Sequence, residues 1–302
     1  MANDFITPTV IARTALATLY NTTVLAQLVW RDFDPDFSGK QGDTITIRKP
    51  AVFTANEFDR NSGISVQNVD EDSTTATLDK IADVSFYITT EELTLELDDL
   101  DARVISPAAE AISQKVDGDL AEALVDAAES VGGGGTVNGT QTTPHTAIVD
   151  ARTVLSRAKL PESQRYAVFS PEATGSLLKD DLFKSVDKSG STDALYEASI
   201  GRKFGIDNYE SQVFGYGPND KGQADGVAFH RHAVALVSRQ LAIPNGVSPT
   251  QVAIADYKGL ALRTVMSYDV TKKLDVCSVD LLYGISTLRK EAAVQVNLGF
   301  GS

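Results

Sequence analysis

The chain has 302 residues, of which 42% are apolar, with 27 basic side chains against 41 acidic ones and a net charge of −14. This apolar content excludes disorder throughout, and at roughly 150 residues per domain the length allows about two cores. The acidic balance argues against a protein that grips nucleic acid by neutralising phosphates, because it would repel them.

At the N-terminus, Asp4 stands where a secretory signal would carry basic residues. The uncharged run 14–30 contains Asn21 and Gln27 and is too short and polar to cross a bilayer. A soluble protein working in a cytosol-like place is expected, with no membrane partner. Over residues 7–29 the spacing of Ile11, Ala15, Leu19, Leu25, Leu28 and Val29 predicts an amphipathic helix, with Thr7 as cap and Pro8 at its first position. Asn21-Thr22-Thr23 predicts a break or bend in it. Such a stripe must be buried, either on the chain's own core or on a neighbouring subunit.

Residues 31–43 are turn-rich. Asp32, Asp34, Asp36, Ser38 and Asp43 alternate as in a calcium loop, but Phe37 fills the sharp-turn glycine position, Lys40 a ligand position, and Asp43 replaces the bidentate Glu. A solvated connector is the plainer reading. Residues 44–48 alternate with period two, and Leu78, Ala82, Val84, Phe86 and Ile88 do so on a return strand. The long stretch between them has few apolar side chains and an acidic cluster, Asp70-Glu71-Asp72. It cannot build a core of its own, so an extended hairpin arm lying on something else is expected.

Thr89 and Glu92 form a capping box for a helix running toward Asp101, and Ser106-Pro107 opens a second, longer helix. Its stripe is Ile112, Val116, Leu120, Ala123, Leu124 and Ala127, and it ends at the glycine run Gly132–Gly135, which reads as a flexible exposed loop and a domain boundary. Beyond it helix and strand alternate. A helix is predicted over 146–159, a buried strand over 166–169, a helix from Pro171, and a strand pair, or a strand with a helical end, over 227–241. From Val252 onward the pattern is long strands, with period two at Leu260, Leu262, Thr264 and Met266 and again at Val276, Ser278 and Asp280.

The motifs of chemistry are missing. No GxSxG elbow, GxGxxG loop or Lys-Ser/Thr after the glycine run occurs. The single cysteine, Cys277, permits neither an internal disulfide nor a cysteine-built zinc site. His145 stands alone. His230 and His232 face one side of a strand as metal ligands might, without a third ligand to complete the set. Asp98, Asp99 and Asp101 read as a solvated helix face. No catalytic, cofactor-binding or metal-binding residue is assigned, no cofactor is expected, and an enzyme with an unrecognised site is the weaker alternative.

The opening ITPTVIARTALATLYNTTVLAQLVWRDFD with GDTITIRKP, and later VAFHRHAVALVSRQL and DVTKKLDVCSVDLLYGISTLRKEAAVQV, resemble the major capsid (coat) proteins of tailed bacteriophages, in their podovirus-type branch. The resemblance implies an α+β chain with the Hong Kong 97 capsid fold. Residues 1–38 would be an N-terminal arm and 39–88 an extended hairpin (E-loop) lying over a neighbouring subunit. Residues 89–135 and 261–302 would form a peripheral domain with a long spine helix, and 136–260 an axial α/β domain, with the last strand unplaced. It further implies hexamers and pentamers in an icosahedral shell around double-stranded DNA, without sequence-specific binding. Scaffolding, portal and, in some heads, decoration proteins would be partners, and assembly would take place in the host bacterial cytoplasm to give a virion. An encapsulin-like nanocompartment shell shares the fold and is the alternative. Some relatives join subunits by Lys–Asn bonds, for which Lys40, Lys49, Asn61 and Asn68 are the residues at hand. The segment 209–227 is too short for the extra domain that some members insert.

Overall fold

The structure is a computed structural model and describes residues 11–16, 23–31, 44–48, 73–89, 105–184, 200–217, 221–243, 251–257, 260–269 and 274–300. The calcium-like run 32–43, the Lys and Asn residues considered for crosslinking, Asp70–Asp72, and the helix expected after Thr89 with Asp98, Asp99 and Asp101 lie outside the described residues.

Within the first predicted helix, residues 11–16 are helical and Leu25–Leu28 forms a separate turn, α1. Two strands follow, β1 (Thr44–Arg48) and β2 (Ser73–Thr77), paired antiparallel from Thr44 opposite Thr77 to Arg48 opposite Ser73. β3 (Lys80–Thr89) is the return strand. Its alternation is as the sequence predicts: Ala82 is buried and Val84 and Phe86 are packed on the core, while Ile81, Asp83, Ser85 and Tyr87 are exposed.

The long helix α2 spans Ser106–Glu129. Ser106 is its first residue and not its cap; Ile105 holds the cap position, with no side-chain cap hydrogen bond, and Pro107 sits in the first turn where a missing N–H costs nothing. The predicted stripe is buried at Ile112, Val116, Leu120, Leu124 and Ala127. Ala109, Ala121, Val125 and Ala128 widen it. A face that broad suits a helix packed against two sheets at once, and α2 contacts both.

The first sheet has six strands in the order β4 (Thr136–Asn138), β15 (Ala293–Asn297), β10 (Gly226–His230), β5 (Arg165–Phe169), β7 (Ile206–Glu210) and β6 (Arg202–Lys203). The pairs β4–β15 and β5–β7 are parallel and the others antiparallel. Helix α3 (His145–Arg157) packs on it through Ala147, Ile148, Ala151 and Leu155. Helix α4 (Pro171–Lys179) is capped by Ser170, whose Oγ accepts the Ala173 N–H at 3.2 Å.

The second sheet is built around β14 (Leu274–Thr287). β3 runs along one edge of β14, β13 (Leu260–Asp269) and β11 (Val234–Arg239) follow one another along the other, and β12 (Val252–Tyr257) lies outside β13, all antiparallel. The short strands β8 (Phe214–Gly215) and β9 (Gly222–Gln223) form a small parallel pair.

These sheets cut across the segment boundary expected near residue 260. β11 and β12, from the segment 136–260, pair into the sheet of β13 and β14, and β15, from 261–302, joins the six-stranded sheet. The stretch 227–241 is therefore a strand pair whose members belong to different sheets. The glycine run also differs from expectation. A Cβ on Gly133 would lie 2.3 Å from the Ala127 carbonyl oxygen, and one on Gly134 would lie 2.3 Å from that of Ala293. The Gly134 N–H donates to Ala293 at 3.0 Å and the Gln295 N–H donates to Gly135 at 2.9 Å. The run is thus a packed turn that seats β15 against the end of α2, where only glycine fits.

Candidate functional site

The informative geometry lies around α1 and the β1–β2 pair, at the described ends of the two segments expected as arm and hairpin. A single turn such as α1 is too short to sustain itself. It is held from outside: the Asp117 carboxylate, on α2, accepts the Val24 N–H at 2.7 Å and the Ala26 N–H at 3.1 Å. Asp117 thus caps the N-terminus of a turn more than ninety residues earlier in the chain. Burial pushes its carboxyl up to about 6, against the pull of those backbone N–H groups, which lower it. Leu25, Ala26 and Val29 are fully buried beside it. The chain then extends, and Trp30 bridges to β11 in parallel. Its N–H donates to Val234 at 3.2 Å, and its carbonyl accepts the Leu236 N–H at 2.9 Å.

The β1–β2 pair is seated in the same place. Ala76 and Leu78 are fully buried in a small cluster with Ala235, Val237, Leu282 and Leu288, against which Trp30 packs. The Ser286 hydroxyl donates to the Thr75 carbonyl at 2.9 Å. At Gly284 the chain of the hairpin root crosses β14 so closely that a Cβ would fall 1.8 Å from the Thr77 carbonyl oxygen. Beyond the root, Lys80 begins β3 and donates to Asp119 at 3.1 Å; Tyr283 of β14 donates to the same carboxylate at 2.7 Å, and Lys221 also bonds it. Burial opposes the charge on Asp119, but the hydrogen bonds from Lys221, Tyr283 and Lys80 outweigh it and hold the carboxyl down at about 2. One side chain on α2 therefore ties the return strand, the central strand and the Lys221 loop together.

The residues considered for chemistry do not converge. His230 ends β10, but His232 lies in the turn after it, so the two do not share a strand face. Their rings meet edge-on at 5.0 Å, and His230 Nδ1 accepts the His232 backbone N–H at 3.2 Å, a structural role. Burial, with His232, Arg165 and Arg289 nearby, drives His230 down to about 4. The His232 ring stacks on Trp30 at 4.6 Å. His145 pairs with Asp180 at 2.5 Å. Cys277 is buried, and desolvation pushes its thiol up to about 12, far from reactive. Among the described residues, no group of three or more His, Cys, Asp or Glu is gathered for a metal, and no helix is long and apolar enough to cross a membrane. Sequence reasoning missed Asp117, Asp119 and Trp30. The signal available was two acidic residues set directly beside the apolar positions Val116 and Leu120 of α2.

With a long helix bridging two sheets, the chain has the Hong Kong 97 capsid fold. Similar folds are found in a chain of Mycobacterium phage Che8 (TM-score 0.66, 19% identity, 91% of each chain) and in the capsid of the cyanophage P-SCSP1u (0.64, 14%, 92% of this chain and 88% of that one). The mature capsid of bacteriophage PhiM1 is a third (0.60, 16%, 85% and 82%). At these identities the likeness is one of fold. The family described as P22 coat protein, gene protein 5, matches residues 1–212, well over half of the chain, which therefore belongs to the P22 coat protein family and is a phage major capsid protein. No curated protein matches it in sequence.

Proposed function

We propose that this coat protein closes, as hexamers and pentamers, into the icosahedral head that encloses double-stranded DNA, and that it does so as a purely structural subunit without catalytic, cofactor or metal residues. The observation that carries this reading is the common root of the two limbs. Trp30 and Leu78 enter one small cluster, so arm and hairpin are aimed from a single rigid point. Limbs fixed at the root lose backbone entropy along their length, which contact with adjacent copies can offset. Residues 136–260 are read as the axial part and 89–135 with 261–302 as the peripheral part, with β11, β12 and β15 pairing across that division. A scaffolding protein, a portal and decoration proteins are the further partners, and the host cytoplasm is the place of assembly. The net charge of −14 supports a container wall along which packaged DNA slides.

Cryo-electron microscopy of particles from cells expressing the chain with its neighbouring genes tests the reading. Closed shells tens of nanometres wide filled with DNA are expected. Shells filled with an enzyme instead would favour the nanocompartment alternative, which has less support because the matching family is a phage coat protein.

A further inference from the structure

One groove in the protein gathers negative charge that no cation of the subunit meets. It has a volume of about 310 Å³ and lies between the first half of α2, the residue before α1, Val24, and the end of β7 with the turn that follows it. Glu110, Ser113 and Asp117 recur at helical spacing on one face of α2, and Glu210, the last residue of β7, stands on the other wall. No Lys, Arg or His lines the groove. Lys115, on the same stretch of α2, turns instead to Asp119 at 3.8 Å, where Lys80 and Lys221 also bind. Among the described residues, Glu110 and Glu210 enter no ion pair.

Two buried groups set this groove apart from a solvated acidic surface. Asp117 is 4% exposed, and among the described residues it is met by backbone N–H groups and by no cation, so burial raises its carboxyl to about 6. Ser113, one turn earlier, is 3% exposed and lines the groove, yet among the described residues its hydroxyl has no hydrogen-bond partner. A buried hydroxyl left open toward a cavity calls for a partner from outside.

Spacing selects the guest. Among the described residues no three carboxylates come close enough together to hold a metal ion. Glu110 and Asp117 lie about 10 Å apart along the helix axis, a span that one ion does not cover. Val24 and Val213 add apolar surface to the lining. The matching cation carries several ammonium groups along an aliphatic chain, with its methylenes lying on the valines. The volume falls at the low end of the range for small-molecule sites, roughly 300–1,000 Å³.

We propose that this groove binds a linear aliphatic polyamine between Glu110 and Asp117 of α2 and Glu210 of β7. The proposal concerns the single subunit and stands apart from the shell-forming reading. Spermidine is the probe, titrated calorimetrically at fixed ionic strength into full-length, unassembled protein. Wild type is compared with the double variant Glu110→Gln/Glu210→Gln and with Glu122→Gln, which removes an exposed carboxylate of α2 outside the groove. The expected result is one saturable site per subunit in wild type and in Glu122→Gln, and binding about tenfold weaker or more in the double variant. The double variant should melt at the wild-type temperature without spermidine. Magnesium chloride at the same ionic strength should leave the site in place. A wild-type subunit with no saturable site would overturn the proposal, as would unchanged affinity in the double variant. Equal weakening by Glu122→Gln, or displacement by magnesium, would overturn it too, by reducing the binding to diffuse attraction toward a chain of net charge −14.

Discussion

At the scale of single residues, two buried groups give the subunit opposite responses to pH. His230 is held at about 4, below its ordinary 6.5, so its contribution to stability is complete above 6.5 and is lost as pH falls toward 4. Asp117 is held at about 6, above its ordinary 3.8; its buried carboxyl favours the fold when protonated, and that contribution is complete below 3.8 and lost as pH rises through about 6. The two responses oppose each other between about 4 and 6, and Asp280, also raised by burial, adds to that of Asp117. Denaturant unfolding of the unassembled subunit between about pH 4 and 6.5 measures them by difference. Relative to wild type, His230→Asn should tilt the profile downward as pH rises, and Asp117→Asn should tilt it upward. Variants that kept the wild-type profile would remove both assignments. Neither role was legible in the sequence. His230 and His232 looked like paired ligands because period two was extended through Arg231, where the chain in fact turns out of β10.

Among elements, those with the most regular spacing were the most legible. The stripe from Ile112 to Ala127 placed α2, and the alternation at Leu260–Met266 and Val276–Asp280 placed β13 and β14, because each pattern is set by one local period. The last strand could not be placed, since the partners of β15 are β10 and β4, both far away in sequence, and nothing in AVQVN names them. The glycine run was misread for a related reason: close approach of a distant backbone, here Ala293, leaves the same composition as a mobile loop. The shared root of the limbs is likewise a product of packing. It carries a prediction at this scale. Leu78→Ala opens a cavity in the small cluster and is expected to cost about 2–5 kcal/mol. Because Trp30 packs on the same cluster, limited proteolysis should then cut both the hairpin and the arm faster than in the wild type. Faster cutting of the hairpin alone would show that the two limbs are anchored independently.

On the scale of the whole molecule, the fold class and the family were readable from quoted stretches of sequence, and the α+β architecture agrees with them. What composition alone conveyed was narrower: a long run poor in apolar residues between two good strands cannot be a core, so its surface must be satisfied elsewhere. Many modest contacts repeated around a closed shell add up to a stable container even where each is weak. The hairpin should accordingly be dispensable for folding, since β1, β2 and β3 are anchored by their own pairings, and indispensable for closure. Sedimentation velocity of the full chain beside a version lacking residues 55–72 measures this directly. The full chain is expected to form a fast, narrow particle boundary and the shortened chain to remain a folded, slowly sedimenting subunit. Shells that close equally well without the segment would contradict the claim that these limbs complete themselves on their neighbours.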